Sequence, residues 1–536
     1  MGLPKNESIR NVLRILSERK GKKVSIRESE PVSEATAAPA VAKRTVKPGK
    51  QVAQFTLGQG QHNDPRAVCH SVYNFLQHSG LIVAPERDIN LGKQKSYKMN
   101  DSGSEKMSYS SIRYSSYLLF PLLTSLMDRG SMIFFGPPGT GKTTAPELIS
   151  KFLYGIPINK IQEGAIYGNP ELTLSDMVAT VNIGTLLKTG KEVVKPRGFM
   201  HSMIRIIDEV NRITPGKLSI LYQVADRGWT EYKNVKIMAP PGPLFATANA
   251  ADSGNYEMPL PFLDRFDVAV NSNYVNANYL EEVCEAKTDK MHSNLENMVK
   301  KPHPLTGQDL VAIRQQMRCI SFEPEALNEL VFFIASLNSC FKASRDESKK
   351  TKAHAQNKQP GALCTNCHYQ SDKNICSYTK NGLSTRTYWS TYTYAKAFAW
   401  WMGSSKVEQD DLEVIIPFLL YHKVQPTNIA LDKDEFYVND RIALVKDMYE
   451  MSCNQYDIVR QQFPFDAVTN MIRDAYQLGK VPKVSANDIE KLFNDLKNID
   501  SPVKYAMGAA ILDIKEKMEM MKNGTYDFSA DLGQCG

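Results

Sequence analysis

The chain has 536 residues, of which 42% are hydrophobic and 23% charged, so it is long enough for roughly two to four globular domains. It contains no apolar run of the roughly 18–20 residues that a membrane span needs, and no signal-peptide core follows the polar N-terminus. Its nine cysteines are irregularly spaced, which favours reduced thiols over a disulfide framework and predicts a soluble, cytoplasmic protein with no membrane partner.

The net charge of +7 is concentrated at one end of the chain. Residues 1–50 hold twelve Lys and Arg against five Glu, in a stretch that includes an alanine-rich run. We expect residues 1–60 to form a mobile, disordered basic tail that either binds acidic partners or nucleic acid, or simply stays solvated. Residues 61–115 are expected to form a small leading segment, with a helix near residues 68–76.

A glycine-rich loop follows the apolar strand predicted at residues 131–135. It fits GxxxxGK[ST] from Gly136 to Thr143, and a helical pattern follows it. Such a loop turns backbone N–H groups toward phosphate oxygens, and the helix N-terminus adds a favourable dipole. Lys142 would reach the β- and γ-phosphates, and the Thr143 hydroxyl would bind Mg²⁺. The predicted phosphate-binding residues are Gly136, Pro137, Pro138, Gly139, Thr140, Gly141, Lys142, Thr143 and Thr144.

Two further strands end in polar side chains that suit the same site. Asp208 and Glu209 follow an apolar strand, and Asn249 ends the next one. Ligands bind at the carboxyl ends of strands in an open α/β sheet, and adjacent strand residues point in opposite directions. We therefore expect Asp208 to face Mg²⁺ and Glu209 to polarise the attacking water. Asn249 would orient that water, and Arg265 would stabilise charge on the phosphoryl group.

Two hairpins are predicted around these strands. The first covers residues 182–194, with its turn at residues 188–191, and the second covers residues 229–238. Residues 214–227 between them have the apolar spacing of a helix. Arg205 interrupts the strand that leads to Asp208, which is acceptable if that strand lies at a sheet edge or if an acid pairs with the arginine.

Taken together, these motifs resemble the AAA+ ATPases, and specifically their MoxR-like branch. The resemblance extends over about residues 116–430 and includes a segment, residues 254–261, between the asparagine and the arginine motif. Residues 382–403 and 410–423 are similar to the lid of that branch, with Arg386 at the position of its second-sensor arginine. The motifs that carry the resemblance are the phosphate loop, Ile207-Asp208-Glu209-Val210-Asn211-Arg212, Ala246-Thr247-Ala248-Asn249 and Leu263-Asp264-Arg265-Phe266.

The resemblance implies an α/β parallel-sheet core at residues 116–275, followed by a helical lid at residues 276–425. It also implies a Mg-dependent ATP hydrolase that forms a ring, usually a hexamer, with ATP held between subunits. MoxR-like proteins remodel protein partners, often ones with von Willebrand A domains. A McrB-like or helicase-like nucleic-acid motor is the alternative, which the basic tail favours. Arg265 would reach the neighbour's site, whereas one site would contain Lys142, Thr143, Asp208, Glu209, Asn249 and Arg386.

An insertion with cysteines interrupts the lid at about residues 340–380. Cys364 and Cys367 form one CxxC pair, and Cys340 and Cys376 lie on either side of it. Four thiolates, or three with His368, suit a structural zinc ion. An iron–sulfur cluster with the same ligands and thiols without a metal are the alternatives.

Two remaining stretches are expected to be helical and without chemistry of their own. Tyr394, Phe398 and Trp401 recur at the spacing of a buried helix face, so we assign them to the core of the lid rather than to base stacking. Residues 426–536 lie beyond the resemblance and are predicted to form an additional helical C-terminal region.

Overall fold

The computed structural model describes residues 62–78, 88–91, 112–249, 256, 258–274, 277, 302–338, 363 and 373–527. All of these residues belong to one unit, residues 49–536. The basic tail predicted at residues 1–60 lies outside the described residues. Most of the cysteine-containing insertion also lies outside them. None of the helices described is both long and apolar enough to cross a membrane.

A leading segment packs against the first helix of the core. Helix α1 (Pro65–His78) buries Cys69, Val72 and Leu76 on one face, as the helical spacing predicts. Strands β1 (Ile89–Leu91) and β2 (Ile112–Tyr114) form a short antiparallel pair. Helix α2 (Ser116–Leu126), all of whose residues are buried, then leads into the core.

Strands and helices alternate through the core, residues 131–271. The strands are β3 (Ser131–Phe135), β4 (Ala165–Tyr167), β5 (Ala179–Val181), β6 (Val194–Pro196), β7 (Arg205–Asp208), β8 (Trp229–Tyr232), β9 (Val235–Met238), β10 (Leu244–Ala248) and β11 (Val268–Asn271). The helices are α3 (Thr144–Tyr154), α4 (Ile158–Gln162), α5 (Leu174–Met177), α6 (Ile183–Thr189), α7 (Gly198–His201), α8 (Pro215–Arg227) and α9 (Leu260–Leu263).

Five of these strands form a parallel sheet in the order β11-β3-β10-β7-β4. In the register of the sheet Ser131 is opposite Leu244, and Leu244 is opposite Arg205, so the strands begin level with one another. Their carboxyl ends therefore share one edge, which we call the carboxyl edge, and their first residues share the opposite, amino edge. This architecture confirms the predicted α/β core.

Arg205 lies inside this sheet, because β7 is flanked by β10 and β4. Its guanidinium is buried and donates hydrogen bonds of 2.8–3.1 Å to the carbonyl oxygens of Ser202, Pro240 and Gly242. Burial lowers the pKa of Arg205 to about 10. The expectation of an edge strand or an acidic partner was therefore wrong, since backbone carbonyl oxygens satisfy the charge.

The two predicted hairpins had different outcomes. The second is confirmed, and its turn residues Lys233 and Asn234 have φ of 48° and 61°, as a tight two-residue hairpin turn requires. The first is wrong in its bounds. The antiparallel strands are β5 and β6, and the seven residues of α6 occupy the tip where the turn was predicted. Asn182 caps this helix, and Gly190 ends it in the left-handed conformation.

The lid and the C-terminal region are helical, as predicted. The buried faces of Tyr394, Phe398 and Trp401 confirm that their helix contributes to the core of the lid. A second hydrophobic cluster, which includes Phe332 and Tyr456, packs the C-terminal helices against the lid. The helices are α10 (Gly307–Cys319), α11 (Pro324–Asn338), α12 (Thr385–Trp401), α13 (Gln409–Leu420), α14 (Asn428–Lys433), α15 (Arg441–Gln462), α16 (Phe465–Leu478), α17 (Ala486–Asp495) and α18 (Val503–Lys522), and a short strand pair joins β12 (Ser321–Phe322) to β13 (Lys406–Val407).

Candidate functional site

The glycine-rich loop lies at the carboxyl edge, between β3 and α3. Gly139 and Gly141 have φ of +78° and +79°, a left-handed conformation that favours glycine. A Cβ atom at Gly136 would lie 2.1 Å from the carbonyl oxygen of Ser272, so no larger residue fits there. These glycines let the backbone curl tightly ahead of the helix, which is the geometry that presents N–H groups to a phosphate.

Lys142 folds back over this loop. Its Nζ donates to the carbonyl oxygens of Gly136 at 2.9 Å and Pro137 at 2.5 Å. Burial lowers the pKa of Lys142, an effect that the nearby carboxylates of Asp208 and Glu209 oppose. The ammonium group is thus held at the centre of the loop by neutral acceptors, which an anionic phosphate oxygen can replace with a stronger, charge-assisted bond.

Asp208, the last residue of β7, receives two hydroxyl groups. The Oγ1 atoms of Thr143 and Thr247 both donate to its Oδ1 at 2.6 Å. A carboxylate and a threonine hydroxyl are hard oxygen ligands, and Thr143 immediately follows Lys142 in the loop. This pair of residues therefore fits a Mg²⁺ ion beside the phosphates.

Glu209 differs from Asp208 both in its backbone conformation and in the partners of its carboxylate. It has φ of +50°, which is uncommon for a residue other than glycine. Its Oε1 accepts a hydrogen bond of 2.8 Å from Asn249 Nδ2, and its Oε2 lies 2.9 Å from Arg212 Nη1. The two carboxylates therefore have different partners, and strand alternation, the predicted reason for a division of roles, does not apply because β7 ends at Asp208.

Sequence reasoning gave no role to two residues of this group. Thr247 accepts a hydrogen bond of 2.9 Å from the Glu209 N–H as well as donating to Asp208. It lies two residues before Asn249 on β10, and that spacing along a strand could have identified it. Arg212 pairs with Glu209 at i and i+3 across the 3₁₀ turn that follows β7, and this spacing is the signal in the sequence that could have identified the pair.

Arg265 lies at the other end of the sheet. Its carbonyl oxygen accepts a hydrogen bond of 2.9 Å from the hydroxyl of Ser131, which is the first residue of β3. The glycine-rich loop begins at the opposite end of this strand, because Gly136 follows its last residue, Phe135. The length of that strand, about 13 Å at ~3.3 Å per residue, separates this backbone from the glycine-rich loop. Within one chain, Arg265 is therefore placed at the amino edge.

Arg386 lies beside Arg265 and not beside Lys142. Its Nη2 is 3.1 Å from Asp226 Oδ2, and the Nε of Arg265 is 3.3 Å from the same atom. The prediction that Arg386 shares one site with Lys142 in the same chain is thus at odds with its position. The reason is the docking of α12, because Ser384 at its start donates to Asp264, next to Arg265, at 2.7 Å.

The predicted metal-binding cysteines are only partly described. Cys376 is buried in a 3₁₀ turn at residues 375–377. Cys340, Cys364, Cys367 and His368 lie outside the described residues. In the part of the chain that the structure describes, no three His, Cys, Asp or Glu side chains cluster in a way that would hold a metal ion. The zinc site therefore stays a prediction.

Comparison with known proteins finds two family matches. Residues 131–266 match the AAA domain of the dynein-related subfamily, and residues 371–437 match the AAA lid domain. No curated protein matches the chain significantly.

Two solved structures resemble the chain at low sequence identity. A candidate ATPase from Cytophaga hutchinsonii is 17% identical with a TM-score of 0.46, over 71% of this chain and 96% of that chain. A full-length MCM homolog from Methanopyrus kandleri is 11% identical with a TM-score of 0.36, over 69% of this chain and 64% of that chain.

Proposed function

Because this chain carries an AAA+ ATPase module, we propose that it hydrolyses ATP at a site that two copies of the chain form together, and uses the energy to remodel a protein partner. One observation carries the proposal. The phosphate-binding residues lie at the carboxyl edge of the sheet, and Arg265 and Arg386 lie at its amino edge. A ring, with six subunits as the resemblance implies, would bring the amino edge of one copy to the carboxyl edge of the next.

Nucleotide binding is assigned to the glycine-rich loop. On nucleotide binding, an oxygen of the γ-phosphate would replace the carbonyl oxygens of Gly136 and Pro137 as the acceptor for Lys142 Nζ. Backbone N–H groups of the loop would bind the remaining phosphate oxygens. When bound, Mg²⁺ supplies positive charge to the β- and γ-phosphates, and Thr143 and Asp208 would hold it.

Hydrolysis is assigned to Glu209 and its partners. A water oxygen attacks the γ-phosphorus in line with the bond to the bridging oxygen, and that bond breaks as ADP leaves. The carboxylate of Glu209 accepts a proton from the water. Asn249 donates a hydrogen bond to that carboxylate and orients the attacking water. Arg265 and Arg386 of a second copy stabilise the negative charge on the transferred group.

A protein client is supported by the tip of the β5–β6 insertion. Ile183 and Leu187, one helical turn apart on α6, have exposed fractions of 67% and 81%. Apolar side chains that project on a short insertion suit contact with an unfolded or flexible polypeptide. This chemistry agrees with the MoxR-like interpretation, in which the partner carries a von Willebrand A domain.

A nucleic-acid motor is the second candidate. Lys188, Lys191 and Lys195 on the same insertion are exposed, and basic groups at such a tip suit a phosphate backbone. On the neighbouring hairpin, Lys233 pairs with Glu192 at 3.1 Å, and the Nζ of Lys236 lies 4.4 Å from the ring centroid of Trp229. Both lysines thus have a contact within the chain, whereas the apolar side chains of Ile183 and Leu187 at the tip are exposed, and this exposure is the reason for placing the protein client first.

The two candidates are separated by what stimulates ATP turnover. Turnover is measured alone, with a permanently unfolded polypeptide, and with single-stranded and duplex DNA and RNA. We expect the polypeptide to raise the rate severalfold. Leu187→Ser should remove this stimulation, whereas the neighbouring Lys188→Ala should retain it. Stimulation by nucleic acid that Lys188→Ala removes would instead establish the motor.

Two further assignments accompany this proposal. We keep a structural zinc ion, held by Cys340, Cys364, Cys367 and Cys376, as the role of the lid insertion, with an iron–sulfur cluster as the alternative. We also keep a cytoplasmic location, which suits reduced thiols. Elemental analysis of the purified protein tests the first, and a chain free of zinc and iron would exclude both clusters.

A further inference from the structure

Asp226, near the end of α8, binds both arginines of the amino edge through one oxygen. Its Oδ2 lies 3.3 Å from Arg265 Nε and 3.1 Å from Arg386 Nη2. Arg265 belongs to the core and Arg386 to the lid, so a single carboxylate joins the two parts of the module. Guanidinium groups repel each other, and the negative charge between them offsets that repulsion.

Further contacts orient the two arginines. The guanidinium carbon of Arg265 lies 4.6 Å from the ring centroid of Tyr222, and its Nη1 donates to the carbonyl oxygen of Pro261. Arg386 Nη1 lies 3.8 Å from Asp264 Oδ2. A guanidinium has five N–H donors, so these contacts, made through two nitrogens of each arginine, leave donors for an anion.

The contribution of Asp226 to folding stability is expected to be small. The side chains of Asp226, Arg265 and Arg386 are 26%, 29% and 37% exposed. Ion pairs that solvent reaches to this extent are screened and stabilise a fold only weakly. Loss of the carboxylate should therefore change where the arginines are held and leave the fold intact.

We propose that Asp226 is a positioning residue, which holds Arg265 and Arg386 as one pair and presents them to the γ-phosphate bound by the next copy of the chain. This inference rests on the proposed function. Two hydroxyl groups at the start of α12 support it, since Ser384, which caps the helix, and Thr387 in its first turn donate to Asp264 at 2.7 and 3.1 Å. The first turn of the lid helix and the loop that carries Arg265 are thereby held together, and Asp226 sets the arginines on that platform.

The test compares kcat, KM and nucleotide affinity of Asp226→Asn with those of the wild-type chain. A displacement of the arginines by about 1 Å should lower kcat on the order of 10- to 100-fold. KM, nucleotide affinity and melting temperature should stay within experimental error. Asp226→Glu, which retains the charge, should restore part of kcat. Asp226→Asn added to the double variant Arg265→Ala/Arg386→Ala should cause no further loss, because Asp226 acts through these two arginines.

A matched control is available elsewhere in the molecule. Asp128 also joins two arginines of the lid to the core, with Arg314 at 2.6 Å and Arg318 at 3.6 Å. Asp128→Asn removes a carboxylate that also joins the lid to the core but contacts other arginines, and its kcat should match that of the wild type. An equal loss in this control would show a general effect of loosening the lid and would overturn the inference.

The remaining outcomes separate this inference from the proposed function. If Arg265→Ala hydrolyses ATP at the wild-type rate, the shared site is wrong and the role of Asp226 is wrong with it. If Arg265→Ala is slow and Asp226→Asn is as fast as or faster than wild type, only the role of Asp226 is overturned. Should Asp226→Asn fail to fold, Asp226→Ala is measured in its place against the same expectations, and a kcat equal to or above that of the wild type rejects positioning.

Discussion

The two edges of the central sheet differ in what they contain. The carboxyl edge contains three groups of contacts. Lys142 donates to the glycine-rich loop, Thr143 donates to Asp208, and Asn249 donates to Glu209. At the amino edge Arg265 and Arg386 share one carboxylate. Under the proposed function the first edge binds the nucleotide and its Mg²⁺ ion, and the second supplies arginines that still have N–H donors for an anion. This complementarity supports a site between two copies of the chain.

The largest expected effect comes from the amino edge. Arg265→Ala should lower ATP turnover on the order of 10³-fold or more, because an arginine beside the transferred phosphoryl group contributes that much in related chemistry. Nucleotide binding should be retained, since the carboxyl edge is unchanged. Fluorescent-nucleotide titration and turnover assays measure the two quantities. Arg318→Ala, which changes a 78% exposed arginine, is the control. Loss of binding in Arg265→Ala would place this arginine at its own chain's nucleotide.

Glu209→Gln separates binding from hydrolysis at the carboxyl edge. The amide retains the size of the side chain and can still accept from Asn249 or Arg212, but it cannot take a proton from water. Turnover should fall about 10²- to 10⁴-fold, as expected for loss of a general base, while ATP remains bound. Single-turnover measurement of ADP release tests this, and near-normal turnover would remove Glu209 from the proton-accepting role.

Lys142→Ala should weaken ATP binding by about 100-fold or more, which is the usual consequence of removing one partner of a close charge pair. Isothermal titration calorimetry measures the affinity. Lys160→Ala is a suitable control, because Lys160 forms an exposed pair with Glu163 at 2.7 Å. Equal affinities for the wild type and Lys142→Ala would contradict the assignment of the loop.

The smallest expected effect concerns the buried lysine behind the amino edge. Burial lowers the pKa of Lys423 to about 8, against the opposing charge of Asp267. Between pH 8 and 10.5 the unfolded chain holds a proton that the folded chain has lost, so this group adds stability as the pH rises. Between pH 7.5 and 9.5, the free energy of unfolding should increase by about 1–2 kcal/mol more in the wild type than in Lys423→Met.

Urea titrations at the two pH values measure this difference. A gap between the wild type and Lys423→Met that does not change with pH would show that Lys423 keeps its proton in the folded chain throughout this range.

Sequence alone predicted the features that depend on neighbouring residues. The strand, the glycine-rich loop and the helix around Lys142 follow each other directly, and Asp208 and Asn249 end apolar strands, so their common edge follows from parallel topology. The tip helix α6 was missed, although Asn182 and Gly190 are common helix-capping residues. Its apolar residues Ile183 and Leu187 also have helical spacing.

The misplaced features depend on contacts between distant parts of the chain. Arg386 lies at the amino edge because the lid helix docks there through contacts such as the hydrogen bond between Ser384 and Asp264. These two residues are 120 positions apart in the sequence. Motif spacing contains no information on such docking. The partner of Arg205 was missed for a related reason, since backbone carbonyl oxygens brought close by the fold leave no pattern in the sequence.

Mixing two inactive variants tests the shared site most directly. Lys142→Ala retains the arginines of the amino edge, and Arg265→Ala retains the phosphate-binding loop. Each alone should show almost no ATP turnover. If the site lies between copies, a mixture contains interfaces in which an intact loop meets an intact arginine, and turnover should reappear in proportion to them. A mixture as inactive as its two components, while wild-type subunits treated in the same way remain active, would contradict a site shared between subunits.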